Sequence, residues 1–574
     1  MIIDYYQNEL NKIRKLAREY AEHYPAIAPL LREQSTDPDI ERLLEGVAFL
    51  TSQVQMVIDE KLPGMVDDLT QLFFTLYSKP VPSTSVIQFI PKSNLGEPLF
   101  VPEGTELASI PINEMKCIFR TTTPIQVEPV TITSIHFQDS ISGVSQFEIN
   151  CHLCGITLKN WQASSLRFFI NQNLHDACNT FYLLQRFVSR ITIEAPGEEK
   201  LVLAPEQLQP CGFDNEEVLY PLPPNIHHPH RVLYEYLHQP YKFLFLRLVG
   251  LEKWQRKTDG FDFKINFELE EVPQWMASLD NLQLVLHAVP IINLFDHHAE
   301  PIFLDHKQPD YQIIPNNDFG ENYAVYDVKK VTGYRQQERK RIEYDHLLNF
   351  NQELNLNYKY TYHHRPSVTG PGRNTYISFF YDFNKGFPVD ETLSIELVCS
   401  NGALPRLLDK GDITLPTDSS PENLTYTNLI PPSSFLIPTY DRALIWNFQS
   451  LLALNLLQLL DKNRLRHIFN LYLYEKGENY QLNMSRVKGI ENIIVNKARR
   501  LYYGEMIAGS HITLICDPDC FKCIGDMYLF GCMMDVFFGL NAPINTFTLL
   551  HLQNARTKEV WKWQPRLNNP SLIS

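Results

Sequence analysis

Apolar side chains recur at helical spacing near the start of the chain. Tyr6, Leu10, Ile13, Leu16 and Tyr20 follow one another at steps of three and four residues. This spacing places all of them on one face of an α-helix. Such a face needs a partner surface, which is either the remainder of its own domain or a helical bundle shared with other chains. The pattern alone leaves both alternatives open.

A second helical pattern begins after residues 35–38, where Ser, Thr and Asp precede a proline. Ser, Thr and Asp side chains accept hydrogen bonds from the first backbone N–H groups of a helix, and proline suits its first turn. The apolar positions of this second stripe are Ile40, Leu43, Leu44, Val47, Leu50, Val54, Val57, Ile58 and Leu62. A third, shorter pattern over residues 65–76 ends before Pro80.

From about residue 80 to about residue 430 the pattern changes to short, partly alternating runs of β-branched and aromatic residues. Such runs, punctuated by Pro and Gly, are typical of strands. Strands are predicted over residues 85–89, 131–137, 166–170, 191–193 and 261–267. Helical spacing returns near residue 440, and the last part mixes strand-like runs such as 512–515 with aromatic segments.

These patterns together predict an α+β protein. It has an N-terminal helical segment, β-rich middle domains and a mixed α/β C-terminal region. The expected boundaries are 1–78 for the helical segment, 79–300 and 301–435 for two β-rich domains, and 436–574 for the mixed domain.

The composition is that of an ordinary globular protein, with 44% hydrophobic and 20% charged residues. This excludes disordered, collagenous and disulfide-scaffold proteins. The net charge of −15 at pH 7 repels phosphate backbones, so no nucleic acid partner is expected. The longest uncharged apolar run, 443–460, is diluted by Asn, Gln and Ser, and the first residues lack a signal-like run. We therefore expect a cytoplasmic protein without membrane insertion.

Several clusters of Cys, His or basic residues are candidates for metal or phosphate binding. Cys516, Cys520 and Cys523 lie near His511, and Cys151 and Cys154 form a second cluster far away in sequence. A structural zinc site needs two well-spaced pairs, so free thiols are the preferred interpretation.

Adjacent histidines occur at residues 227–230, 297–298 and 363–364. Neighbouring side chains on a strand point to opposite faces, so such a pair rarely binds one metal ion, and we expect these histidines in solvated loops. The basic residues Arg335, Arg339, Lys340 and Arg341 are read as a solvated face, against the alternative of a phosphate site.

Known catalytic motifs are missing from the sequence. It contains no HExxH, no GxSxG and no P-loop, and residues 370–372 lack the rest of a dinucleotide fingerprint. We therefore expect no cofactor, no metal and no catalysis. Carboxylate pairs that only folding brings together are invisible at this stage, so a glycosidase stays open as an alternative.

Short motifs in a fixed order along nearly the whole chain carry a resemblance to a known family. They lie at residues 5–6, 37–50, 80–83, 102–105, 119–121, 231–237, 240–245, 290–295, 300–302, 326–328, 399–401, 404–405, 544–547 and 563–566. In this order they resemble the TssF family, also called ImpG or VasA, of the bacterial type VI secretion system. One departure is His228-Pro229-His230, where the family more often has a Gly-Tyr type of turn.

The resemblance implies a structural role in a baseplate. Two TssF-like copies and one TssG-like chain would form a wedge that holds a TssE-like sheath initiator and a TssK-like adaptor. Six wedges would surround the spike protein, at the inner face of the inner membrane, and seed polymerisation of sheath and tube. The N-terminal helices would join a bundle with partner chains, so Tyr6, Leu10, Ile13, Leu16 and Tyr20 are the predicted partner-binding residues.

Two alternatives to this function remain. One is a baseplate protein of another contractile injection system or of a phage tail. The other is a β-rich, carbohydrate-active enzyme.

Overall fold

A computed structural model describes most of the chain, and the structural statements below concern the residues that it describes. These residues are 2–23, 39, 41–56, 79–93, 95–139, 145–221, 230–273, 275, 282–316, 323–335, 340–347, 358–367, 373–380, 389–437, 460–474, 477–502 and 504–568. The chain divides into two compact units. The first comprises Met1–Ser78 with Tyr440–Leu452, and the second comprises Lys79–Thr439 with Ala453–Ser574.

The first unit contains the predicted N-terminal helices. Helix α1 spans Ile2–His23, and residues 41–56 form another helical stretch, here called the second helix. Residues 2–23 contain neither Gly nor Pro, so no helix breaker interrupts the apolar stripe. Arg14 of α1 donates to Glu41 of the second helix, with Nη2 3.2 Å from Oε1. The predicted pattern over 65–76 lies outside the described residues.

The helices of the second unit are α2 (Leu174–Arg186), α3 (Arg231–His238), α4 (Lys462–Leu471), α5 (Tyr480–Gly489) and α6 (Ile524–Leu540). Short 3-10 helices span Pro205–Gln207, Pro240–Phe243, Leu251–Lys253, Leu404–Leu407 and Pro518–Cys520.

The strands of the second unit range from three to thirteen residues in length. The first fifteen are β1 (Thr84–Pro91), β2 (Leu99–Val101), β3 (Glu106–Ser109), β4 (Ile118–Thr121), β5 (Ile125–Val127), β6 (Val130–Asp139), β7 (Ser145–Leu153), β8 (Ser165–Ile170), β9 (Val188–Glu194), β10 (Leu201–Leu203), β11 (Leu208–Pro210), β12 (Phe245–Val249), β13 (Asp262–Leu269), β14 (Leu284–Leu286) and β15 (Ala288–Ile292).

The remaining strands are β16 (Phe295–His298), β17 (Ile302–Leu304), β18 (Tyr311–Ile313), β19 (Ala324–Arg335), β20 (Lys340–His346), β21 (Lys359–Pro366), β22 (Arg373–Phe380), β23 (Glu391–Ser400), β24 (Ile413–Leu415), β25 (Leu424–Asn428), β26 (Ile490–Tyr502), β27 (Glu505–Cys516), β28 (Thr546–Asn554), β29 (Val560–Lys562) and β30 (Arg566–Asn568). The predicted strands at 85–89, 131–137, 166–170, 191–193 and 512–515 all lie within these elements, and the predicted strand at 261–267 begins one residue before β13.

The sheets join strands that are far apart in sequence. The strand orders are β24-β3-β4-β15-β1-β25, β10-β9-β13-β7-β6, β11-β12-β8-β14, β2-β5 and β16-β23-β19-β20-β21-β22-β18 with β17 beside β23. Strand β1 shows the long range of these pairings, because Ile87 lies opposite both Val289 of β15 and Asn428 of β25. The cores of the first and last of these sheets are built from alternating apolar side chains such as Phe119 and Ile395.

The C-terminal part combines a sheet, in the order β26-β27-β28-β29 with β30 beside β28, and the buried helix α6. Helix α6 packs against α2, α3 and β28. Because it is buried nearly all round, it shows no polar stripe.

The predicted α+β class is confirmed, with N-terminal helices, a β-rich middle and a mixed C-terminal region. The sequence analysis did not predict helices α2 and α3 inside the β-rich region. Both helices are buried along most of their length. In α3 the polar residues Arg231 and Glu235 share one face but are buried as well, so this short helix lacks a solvent-exposed side.

Candidate partner-binding surface

Helix α1 exposes part of the apolar stripe that the sequence predicts. The side chains of Tyr6, Leu10 and Ile13 are half-buried, whereas those of Leu16 and Tyr20 are exposed. Leu16 retains 63% of its accessible surface. The structure therefore places all five predicted residues on one helix, and the C-terminal half of their stripe faces outward.

The second helix turns its small side chains inward and its large ones outward. Ala48 and Ser52 are buried and Leu44 is half-buried, at steps of four residues. The opposite stripe is large, apolar and exposed, and its members are Leu43, Val47, Leu50 and Val54. Leu43 retains 67% and Leu50 63% of their accessible surface. We call Leu16, Tyr20 and these four residues the N-terminal apolar surface.

The described polar contacts around this surface are ion pairs, and they include no catalytic group. Besides the Arg14–Glu41 contact, Lys12 Nζ lies 2.5 Å from Glu9 Oε1, and Arg42 Nη1 lies 3.4 Å from Asp39 Oδ1. Exposed pairs of this kind contribute about 0–1 kcal/mol each. The chemistry of the surface is therefore apolar contact, which suits binding to another apolar helix face.

The second helix contributes exposed residues that were not named for binding. The sequence predicts that the N-terminal helices together join a bundle, but the partner-binding residues named from it lie on α1 alone. The 4-3-4 spacing of Leu43, Val47, Leu50 and Val54 marks a single stripe, and this signal was available in the sequence.

The cysteine clusters do not converge on a metal site. Cys516 is buried in β27, and His511 Nε2 lies 2.8 Å from His551 Nδ1, not beside the thiols. Cys523 Sγ accepts the backbone N–H of Asp526 at 3.3 Å and so caps α6, while burial raises the pKa of its thiol to about 12. Within the described residues, no group of three or more His, Cys, Asp or Glu side chains is placed to hold a metal ion.

The histidine clusters have different surroundings from those expected. Residues 227–229 lie outside the described residues. His297 contacts the carbonyl of Asn316 through Nε2 at 2.7 Å. His364 is buried beside Thr375, and burial lowers its pKa to about 3, so the solvated-loop interpretation is wrong for this residue.

The basic run is partly internal. Arg335 Nη2 lies 2.7 Å from Oε1 of the buried Glu391. Arg335 therefore stabilises the fold through this ion pair and does not belong to a solvated face. Arg341 contacts Glu343 at 3.1 Å in the exposed manner that was expected. Arg339 and the side chain of Lys340 lie outside the described residues.

None of the described helices is both long enough and apolar enough to cross a bilayer. Residues 443–459 of the apolar run 443–460 are not among them.

The motif at 231–237 turns out to be a buried scaffold and not an exposed site. It forms α3, where Glu235 Oε2 accepts from Arg231 Nη1 at 3.0 Å and Glu235 Oε1 accepts from the backbone N–H of Leu219 at 2.8 Å. Lys242 also pairs with Glu235, and burial lowers the pKa of this lysine to about 8. These contacts hold α3 to the segment around Leu219 and to the 3-10 helix Pro240–Phe243.

Comparisons with known proteins agree with this picture. The family model described as "Type VI secretion system, TssF" matches residues 1–569. The chain is 24% identical to the type VI secretion system component TssF1 of Pseudomonas aeruginosa, over 98% of each chain.

Two solved structures share the fold. One, with a TM-score of 0.79 and 23% identity over 92% of this chain and 98% of the other, belongs to a TssK-TssF-TssG baseplate subcomplex of the type VI secretion system. Another, with a TM-score of 0.60 and 19% identity over 99% of this chain and 100% of the other, belongs to the type VI baseplate complex.

Proposed function

The chain belongs to the TssF family of the type VI secretion system, and from this premise we propose that it acts as a structural component of the baseplate wedge and catalyses no reaction. The observation that carries the proposal is the N-terminal apolar surface, which exposes large side chains on two helices. A wedge has to hold several chains together, and large apolar contacts do this without a pocket or a reactive group.

The occupant that we propose for this surface is a TssG-like chain. A baseplate subcomplex that contains a similar chain also contains TssK and TssG. Each large apolar side chain that a partner buries fully contributes about 1.5–3 kcal/mol, as an upper estimate. Six such side chains on two helices supply the apolar contact area on which a helical bundle with a partner chain depends.

The further assembly is also part of the proposal. A second copy of this chain, a TssE-like sheath initiator, a TssK-like adaptor and the spike protein complete the wedge. The assembled wedge lies in the cytoplasm at the inner face of the inner membrane and seeds the sheath and tube.

Native mass spectrometry tests the wedge composition. The chain is co-expressed with the product of its adjacent gene, and the purified complex is weighed. We expect two copies of this chain with one copy of the partner. A stable monomer that leaves its neighbour unbound would contradict the proposal and turn attention to a carboxylate-lined pocket.

Charged substitutions test the surface itself. We expect both Leu10→Asp with Ile13→Asp and Leu43→Asp with Leu50→Asp to abolish co-purification of the TssG-like partner. Leu43 and Leu50 are exposed, so the second pair leaves the folded chain intact by circular dichroism. The matched control, Asn8→Asp with Gln53→Asp, adds equal charge at exposed polar positions and should keep the partner. Normal co-purification by the folded Leu43/Leu50 variant would refute this assignment.

A further inference from the structure

Strands β26 and β27 form a hairpin that extends past the edge of its sheet. They pair from Ile490↔Cys516 to Tyr502↔Glu505, whereas the pairing of β27 with β28 begins only at Gly509↔Phe547. Residues 505–508 and their partners in β26 therefore project beyond the sheet by about 13 Å, at about 3.3 Å per residue. We call the projecting residues 499–502 and 505–508, together with Lys497 and Ala498 just before them, the β-arm.

The β-arm carries three exposed cations close together. They are Lys497, Arg499 and Arg500, and none of them makes an ion pair within the described part of the chain. Two cations on other strands of the same unit are paired by contrast, Arg190 with Glu268 and Lys264 with Glu148. The β-arm also contains one exposed carboxylate, Glu505, so three cations and one anion leave it a net charge of +2 in a chain whose net charge is −15.

An apolar pair lies next to these cations. Leu501 and Met506 are directly opposite each other in the ladder and retain 64% and 65% of their accessible surface. Methionine and arginine are enriched in the cores of protein interfaces, where charged residues of other types are depleted. The β-arm therefore combines apolar anchors with guanidinium groups, a combination that suits a protein surface.

The outer edge of the β-arm is open. Within the described residues β26 pairs only with β27, and the N–H of Ile493 is satisfied by its own neighbour, Asn492 Oδ1, at 2.9 Å. An open edge accepts a further strand. Symmetric pairing with a second copy would place Arg499 and Arg500 beside the same residues of that copy, and like charges there repel.

We propose that the β-arm docks on a carboxylate-rich surface of a different protein of the assembly. Lys497 and Arg499 share a strand face with Leu501 and Met506 and pair with carboxylates beside the apolar depression that these two side chains occupy, while Arg500 adds positive charge from the opposite face. An anionic membrane or nucleic acid fits less well, because the remaining charge of the chain repels both. The inference rests on the proposed place of the chain in the assembly, but the β-arm is separate in sequence from the N-terminal apolar surface, so the two surfaces fail or stand independently of each other.

Site-specific photo-crosslinking in cells that express the complete secretion system tests the proposal. A benzoyl-phenylalanine probe replaces Leu501 or Met506 in the full chain, and the crosslinked peptides are sequenced. We expect both probes to crosslink to the same Asp- and Glu-rich segment of another protein. The triple variant Lys497→Glu, Arg499→Glu, Arg500→Glu should reduce that crosslink at least about tenfold.

A matched control separates the β-arm from total charge. Lys116→Glu, Lys159→Glu, Lys253→Glu makes the same charge change at exposed lysines elsewhere, and it should leave the crosslink unchanged. Crosslinks that map only to this chain or to a second copy would overturn the proposal, as would an absent crosslink or an equal loss in the control. Binding of the purified chain to phosphatidylglycerol vesicles or to duplex DNA that the triple variant abolishes would also overturn it.

Discussion

Single buried charges in this protein are held by several partners at once. Arg486 and Asp526 are both buried and form an ion pair, and the Arg486 guanidinium lies 4.8 Å from the ring centroid of Tyr236. Asn483 Oδ1 accepts from Arg486 Nη1 at 2.7 Å. An isolated buried charge is very costly, so such groups persist only where neighbours satisfy them. Since α5 carries Arg486, α6 carries Asp526 and α3 carries Tyr236, one cluster ties these three helices together.

A buried histidine makes the stability of the second unit depend on pH. Burial lowers the pKa of His287 to about 3, and its Nε2 accepts the backbone N–H of Glu128 at 3.1 Å. The unfolded chain binds a proton below about pH 6.5 that the folded chain excludes, so the free energy of unfolding falls as the pH drops. From this group alone we expect a loss of about 2 kcal/mol between about pH 7.5 and about pH 5.

Urea unfolding at both pH values measures this effect. His287→Asn is the comparison, because φ is 58° at this position and asparagine tolerates the left-handed region better than most residues. The variant should be less stable than the parent at the higher pH but lose less stability on acidification. An unchanged pH dependence in His287→Asn would show that other groups cause it.

At the scale of elements, the sequence predicted strands better than it predicted their partners. Runs such as 85–89 alternate or are rich in β-branched residues, and this local signal identified β1. Its neighbours β15 and β25 lie about 200 and about 340 positions further along the chain, and no local pattern encodes such pairings. Strand type follows from nearby residues, whereas sheet order follows from the packing of the whole unit.

The N-terminal apolar surface shows the same division between local signal and tertiary packing. Helical spacing revealed that residues 41–56 are amphipathic, but the side that faces inward depended on tertiary packing. The small residues Ala48 and Ser52 are buried, while the larger Leu43 and Leu50 are exposed, which reverses the usual rule for a helix on a globular core. A sequence analysis that assigns large apolar residues to the core therefore places this stripe on the wrong side.

A glycine sets the distance between two of the buried helices. A Cβ atom added at Gly525, in the first turn of α6, would overlap the carbonyl group of Cys178 in α2. The backbone N–H of Gly525 also donates to Asn179 Oδ1 at 3.1 Å. We expect Gly525→Ala to force the helices apart and to lower the free energy of unfolding by about 1–3 kcal/mol, as measured by urea denaturation.

Gly46→Ala is the matched control for that prediction. A Cβ atom there meets nothing within 4 Å, and the residue lies in the exposed second helix. This substitution should leave stability unchanged or raise it slightly, by about 0.4–1 kcal/mol. Equal effects of the two substitutions would show that the close approach of α2 and α6 is unimportant.

At the scale of the whole molecule, the described apolar cores and the N-terminal apolar surface lie in different units. The second unit buries apolar cores between its sheets, whereas the described helices of the first unit leave much of their apolar surface outward. Lys79, at the start of the second unit, is fixed there by an ion pair with Asp327, whose other oxygen accepts from Tyr362 at 2.7 Å. The second unit is therefore anchored at its first residue by its own side chains.

Truncation tests this division of roles. A chain that begins at Lys79, after an initiator methionine, should fold and keep the pH dependence attributed to His287, because the cores lie within the second unit. It should not co-purify with the TssG-like partner. Circular dichroism, urea unfolding and pull-down measure the three properties. A truncated chain that still retains the partner would locate the main interface in the second unit.

The outward stripe of the second helix also has a consequence for the supply of this protein in the cell. A copy without its partner displays Leu43, Val47, Leu50 and Val54 to water, and chaperones and proteases recognise displayed apolar segments of this kind. Surplus copies would be removed while assembled copies are protected. The abundance of the chain would then follow the abundance of its partner, so the same four side chains would set both the contact and the dosage.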